Sequence, residues 1–213
     1  VLLSLDGSEY DDIKMKYLSQ ISGDWKVKNI IKTLSSVKLK IDAMEYLSDK
    51  GKIDIIKELP KEYIYTELMK LDNKNKIENI NLLSSINDKT NLILSITNKS
   101  EQMRALENLN DTELMEFSTL VSDSKLKANA LSLIKDMWTK ELQLDRNDLS
   151  IEEKVIIIAS IEDVEKQKIQ YQKLGLNEET YQNMVSRLVD STELLYHSDL
   201  FTKIKDLIYK KVS

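Results

Sequence analysis

The chain has a single histidine, His197, with Asp199 two residues on. That is a spacing at which a carboxylate orients a general base. No nucleophile signal accompanies the pair. The predicted helix that His197 ends carries Val185, Leu188, Val189 and Leu195, so His197 reads as a C-terminal cap whose charge suits the helix dipole. There are no cysteines, which removes disulfides, thiolate metal sites and cysteine nucleophiles together. A metal would therefore need carboxylates. The run Asp145-Arg146-Asn147-Asp148 looks like a calcium loop, but it has no glycine at its sixth position and Ile156 at its twelfth. The pairs Asp11/Asp12, Glu152/Glu153 and Glu178/Glu179 are expected in first helical turns, where acidic side chains complement the N-terminal dipole. There is no Gly-x-Gly or Walker-type loop to cradle a nucleotide. These residue types predict a protein that is not an enzyme, with no cofactor and no metal.

One cluster has the chemistry of partner recognition. On a helix opening at Asp24, Val27, Ile30, Ile31 and Leu34 form the core stripe. At 100° per residue Trp25, Lys28, Asn29 and Lys32 then fall on the opposite face. With Lys26, Lys38 and Lys40 nearby, residues 24–40 carry a local charge of +4 in a chain of net charge −5. Tryptophan among lysines suits an interface anchor. The same position also allows Trp25 to pack back on Tyr17 or Ile21. Tyr63, off the Ile64/Leu68/Leu71 stripe and beside Tyr65, is a second candidate, since tyrosine is enriched at interfaces.

The elements that must position these residues follow from what the chain lacks. Four glycines and one proline in 213 residues leave little material for hairpins or tight βα loops. No strand-length alternation appears, so the fold class is all-α. Helices are expected near 9–22, 24–35, 37–49, 52–59, 61–72, 75–86, 89–97, 99–109, 112–121, 124–141, 151–174, 178–195 and 199–211. Ser150 with Glu153 and Asn98 with Glu101 have capping-box spacing, Pro60 suits a first turn, and Gly175-Leu176-Asn177 reads as a stop followed by a new cap. Whether 150–174 is one helix, with Ile157, Ile161, Val164, Tyr171 and Leu174 on one stripe, or two, with Ser160 or Asp163 opening the second, stays open. The longest apolar run, Val155–Ala159, is far short of the ~20 residues of a membrane span.

Internal echoes point to repetition. Lys38-Leu39-Lys40-Ile41-Asp42-Ala43-Met44 aligns with Lys125-Leu126-Lys127-Ala128-Asn129-Ala130-Leu131. Ile77/Ile80/Leu83 and Met103/Leu106/Leu109 share a spacing, and each is followed by a second apolar triplet, Leu92/Ile93/Ile96 and Leu114/Phe117/Leu120. Short helix pairs at near-regular intervals predict an irregular α-solenoid, with an irregular compact bundle as the alternative. Over residues 24–142 the chain is similar in general style to HEAT-like and armadillo-like repeats, on helix length and spacing alone. The expected organisation is one all-helical domain over 1–213, a fragment of a larger protein because it opens on Val1, with a sub-segment break at 143–149.

The function this implies is a soluble, non-enzymatic protein-interaction scaffold whose partner is another protein or peptide. Abundant isoleucine, lysine and asparagine, the pattern of an A+T-rich gene, suggest a large host-directed bacterial or viral protein, in the cytoplasm or secreted into a host's, acting on trafficking or cytoskeleton. Net acidity and only three arginines, Arg104, Arg146 and Arg187, argue against nucleic-acid binding, and an enzyme site assembled between distant helices is the other alternative.

Overall fold

The structure, a computed structural model, describes residues 7–190. Among them every regular element is helical and there is no strand. Two compact units divide the chain, Val1–Ser84 and Ser85–Ser213. Residues 143–149 lie within the second, where α11 gives way to α12. The first unit holds α1 (Asp11–Leu18), α2 (Asp24–Lys32), α3 (Val37–Ala43), α4 (Asp49–Ile56), α5 (Lys61–Met69) and α6 (Asn73–Asn79). The second holds α7 (Ile86–Leu94), α8 (Lys99–Leu106), α9 (Asp111–Leu120), α10 (Ser124–Ser132), α11 (Met137–Gln143), α12 (Ile151–Ala159), α13 (Val164–Lys173) and α14 (Glu178–Asp190).

Each α-helix begins 12 to 14 residues after the one before it. Capping side chains set this beat. Ser36, Ser48, Asp72, Ser85, Asn98, Asn110, Asp123, Asp136, Ser150 and Asp163 each accept a hydrogen bond from a first-turn backbone N–H. A short polar side chain satisfies an amide that the helix cannot, so each of these residues starts a helix where it stands. At Asn110 and Ser150 the box is complete, with Glu113 and Glu153 accepting from the cap residue's own N–H. Pro60 is itself the N-cap of α5 rather than its first helical residue. Gly175, at φ 76°, ends α13, and the Leu176 N–H donates to the Tyr171 carbonyl, the six-to-one bond of a Schellman stop.

Capping also corrects the sequence reading. The helix expected over 124–141 is two, α10 and α11, because Asp136 caps a new helix through the Thr139 N–H. The segment 151–174 is likewise two, since the chain leaves helix at Ser160 and Asp163 caps α13. The stripe drawn through that segment therefore fails halfway: Ile157, Ile161 and Tyr171 are buried, but Val164 is 56 % exposed. Leu120, grouped with Leu114 and Phe117, is exposed at the last position of α9. The aligned heptapeptides occupy the same positions of α3 and α10, with Lys38 and Lys125 each second in its helix. The helix expected at 199–211 and His197 lie outside the described residues.

Within each unit the packing runs chiefly between alternate helices, α2 on α4, α4 on α6, α7 on α9, α8 on α10, α10 on α12 and α12 on α14, with neighbours such as α4 and α5 or α9 and α10 also in contact. The stripes Val27/Ile30/Ile31/Leu34 and Ile64/Leu68/Leu71 are buried in the first unit. In the second, α12 is apolar nearly all round, and Val155 to Ala159 are at most 1 % exposed, as expected of a helix enclosed on several sides.

Acidic residues in first turns stitch alternate helices together. Asp11 of α1 accepts from the Ser35 N–H (3.1 Å) and hydroxyl. Asp24 of α2 accepts from the Ser48 N–H (3.2 Å) and hydroxyl. Asp111 of α9 accepts from the Lys135 N–H (3.0 Å) and the Asp136 N–H (2.8 Å). In all three a carboxylate at the start of one helix holds the backbone just before, or at, the cap of the next helix but one, 24 or 25 residues on.

Candidate functional site

The α2 cluster sits wholly in the first unit. α2 opens after Gly23, and its buried stripe of Val27, Ile30 and Ile31 turns Trp25 outward, 61 % exposed. Lys26 Nζ lies 5.8 Å from the Trp25 ring centre, within cation–π range. One turn further along, Lys28 forms an ion pair with Asp54 of α4, and Lys32 Nζ donates to Glu58 Oε1 at 2.5 Å. Asn29 is exposed between them. Lys28 and Lys32 are thus paired with Asp54 of α4 and with Glu58 just beyond its C-cap, rather than presented as free cations. The Lys28 hydrogen bond holds the Asp54 carboxyl below its ordinary range, against some burial, and Lys57 and Lys50 also act in that direction. Asp24 is likewise lowered, chiefly by the Ser48 hydroxyl and N–H that it accepts from.

The geometry behind this face depends on Gly51. A methyl group added there would lie 2.6 Å from Asp24 Oδ2 and 3.2 Å from Leu47 Cβ. The glycine's missing side chain is the space into which the Asp24 carboxylate fits, bringing α2 and α4 close enough for both ion pairs. Tyr63, 39 % exposed, stands on a different helix, α5, apart from the α2 cluster.

The second unit holds two features that sequence reasoning missed. On α11, Trp138 is 69 % exposed and Leu142 48 % exposed, four residues apart on one face. Treating 124–141 as one helix hid them; the Asp136 cap is the signal that finds them. Behind that face Lys140 is buried, and its Nζ donates to Ser160 Oγ (3.0 Å) and to the Ser160 carbonyl (3.4 Å). Burial pushes the Lys140 amine down to about 8, with Asp111 and Glu162 opposing. A lysine beside a serine suggests a nucleophile and its base, but the Ser160 hydroxyl donates to the Ile157 carbonyl at 2.6 Å. Its proton points away from Lys140, so the pair stitches α11 to the end of α12.

The acidic pairs all stand in first helical turns, of α1, α12 and α14; Asp11 accepts from the Ser35 N–H, and Glu153 accepts from the Ser150 N–H in the capping box. The 145–148 run is a local clamp in which Arg146 Nε and Nη2 each donate to Asp148 at 2.9 Å and Nη1 donates to Ser118 Oγ at 2.8 Å. Among the described residues no group of three or more His, Cys, Asp or Glu is arranged to hold a metal ion, and no helix is long and apolar enough to cross a membrane. The chain matches no protein-family model, no curated protein and no solved structure.

Proposed function

We propose that the chain is a non-catalytic protein-interaction module, each unit a run of α-solenoid, and that the α2/α4 face of the first unit takes the partner. The helix starts every 12 to 14 residues and the carboxylate stitches 24 or 25 residues apart support the solenoid reading, in which each helix pair buries its apolar face against its neighbours. The observation that carries the functional reading is the exposure of Trp25, 61 %, on a face where Lys28 and Lys32 are held by Asp54 and Glu58. Leaving an indole in water forgoes the large stabilisation of burying it, and tryptophan dominates interface energetics when a partner covers it. Because the residues of this face stand on two packed helices, little backbone ordering is required on binding.

The test is a quantitative pull-down from eukaryotic cell lysate with wild-type, Trp25→Ala and Lys28→Glu proteins, with circular dichroism to confirm equal folding. Loss of a set of partners in both variants is expected. Equal recovery of every partner by all three proteins removes this face as the site.

A further inference from the structure

The α2/α4 face carries more positive charge than its own ion pairs use. Lys28 and Lys32 are matched by Asp54 and Glu58. Lys26, Lys50 and Lys57 are exposed and form no ion pair among the described residues. Lys50, Asp54 and Lys57 follow at i, i+4 and i+7, so they share one side of α4, and both lysines act on the Asp54 carboxyl. Lys57, the C-cap, keeps helical dihedrals and so keeps that register. The Asp24 carboxylate is turned into the Ser48 joint. The face thus offers five lysines against three carboxylates, one of them withdrawn, beside an exposed indole, in a chain whose net charge is −5.

We propose that this face docks an acidic peptide segment of another protein, with an apolar side chain of the segment on Trp25 and its carboxylates on Lys26, Lys50 and Lys57. The proposal rests on the interaction-module reading above and adds the chemistry of the partner. Lys50 and Lys57 are separated by about 10 Å along α4, the reach of about three residues of extended chain. Carboxylates two or four residues apart share one side of an extended chain and come within the reach of the two lysine side chains, while α2, one helix spacing of ~8–10 Å away, presents Trp25 to an apolar residue of the segment. Complementary charge steers the encounter and sets specificity, and the indole supplies the apolar contact. A nucleic acid fits less well. None of the three arginines is in this unit, so no guanidinium fork meets a phosphate, and Asp54 and Glu58 stand in the lysine row.

The experiment measures fluorescence anisotropy of a fluorescein-labelled peptide of repeated Glu-Leu-Glu triplets against the full chain. A Lys-Leu-Lys peptide and an oligothymidylate serve as comparisons. The acidic peptide should bind, weaken as salt rises, and lose about tenfold in affinity in Lys50→Glu/Lys57→Glu and again in Trp25→Ala. Lys50→Gln/Lys57→Gln, which adds no repulsion within the protein, should lose a smaller share in the same direction. Equal binding of the basic peptide, tighter binding of the oligonucleotide, or unchanged affinity in the lysine variants overturns the proposal. If the acidic peptide fails while Trp25-dependent partners are still recovered from lysate, the acidic class falls and the module reading stands. If both fail, both fall.

Discussion

Gly51→Ala should destabilise the first unit, although alanine is the better helix former. Gly51 is buried inside α4, and in an open helix the change would add up to about 1 kcal/mol of stability. Here the new methyl group would stand 2.6 Å from Asp24 Oδ2, a separation real Cβ atoms do not tolerate, so the carboxylate must leave its place. It would take with it two hydrogen bonds from Ser48, each worth about 0.5–1.5 kcal/mol net. The balance is a loss of roughly 1 kcal/mol. In an Asp24→Ala background those bonds are already gone, and the remaining contact with Leu47 Cβ at 3.2 Å asks only for a small shift. There Gly51→Ala should be neutral or stabilising by up to about 1 kcal/mol. The change of sign, a coupling of about 1–2 kcal/mol, is the quantity to measure. Urea denaturation followed by far-ultraviolet circular dichroism for all four proteins supplies it, with hydrogen exchange of α2 and α4 localising the effect. If Gly51→Ala stabilises both backgrounds, Asp24 moves aside freely and the close-approach argument is wrong. Equal destabilisation of both would put the conflict at Leu47 instead.

The buried amine of Lys140 makes stability depend on alkaline pH. Its folded value, about 8, lies below the ~10.4 of an unfolded lysine, so between those pH values the unfolded chain binds more protons and stability rises with pH, by up to roughly 3 kcal/mol. Below pH 8 the folded protein carries the charge at a penalty. In Lys140→Met that rise should vanish, which urea midpoints of the two proteins on either side of the window will show; parallel pH profiles would contradict it. Removing one capping box, Ser150→Ala, takes away the acceptor for the Glu153 N–H and should cost about 1 kcal/mol, with faster hydrogen exchange concentrated in the first turn of α12. Uniform acceleration across the second unit would mean that α12 does not start from its cap.

How much was legible in the sequence follows from the range over which each signal acts. Helix starts are local: a serine, asparagine or aspartate satisfies an amide two or three residues away, and Asn98, Ser150 and the Gly175 stop could all be read from neighbours alone. Where a cap was overlooked, at Asp136, one predicted helix became two and the exposed Trp138/Leu142 face went unseen. The rotation of α2 was also legible, because the buried stripe and its opposite face both lie within one helix, so Trp25 could be placed outward from a 100° step.

By itself, then, the sequence determined the helical class, several of the helix starts, and the side of α2 that carries Trp25, since each depends on residues within about one turn of one another. Tertiary structure alone decided what happens at separations of 20 residues or more. Lys28 and Lys32, read only as part of a partner-binding face, are engaged by Asp54 and Glu58; Gly51, unremarkable in the chain, is the space Asp24 needs; Lys140, polar in any pattern, is buried against Ser160. Which charges stay in water and which are enclosed depends on the helix that comes to lie alongside, and only the packed fold brings that helix there.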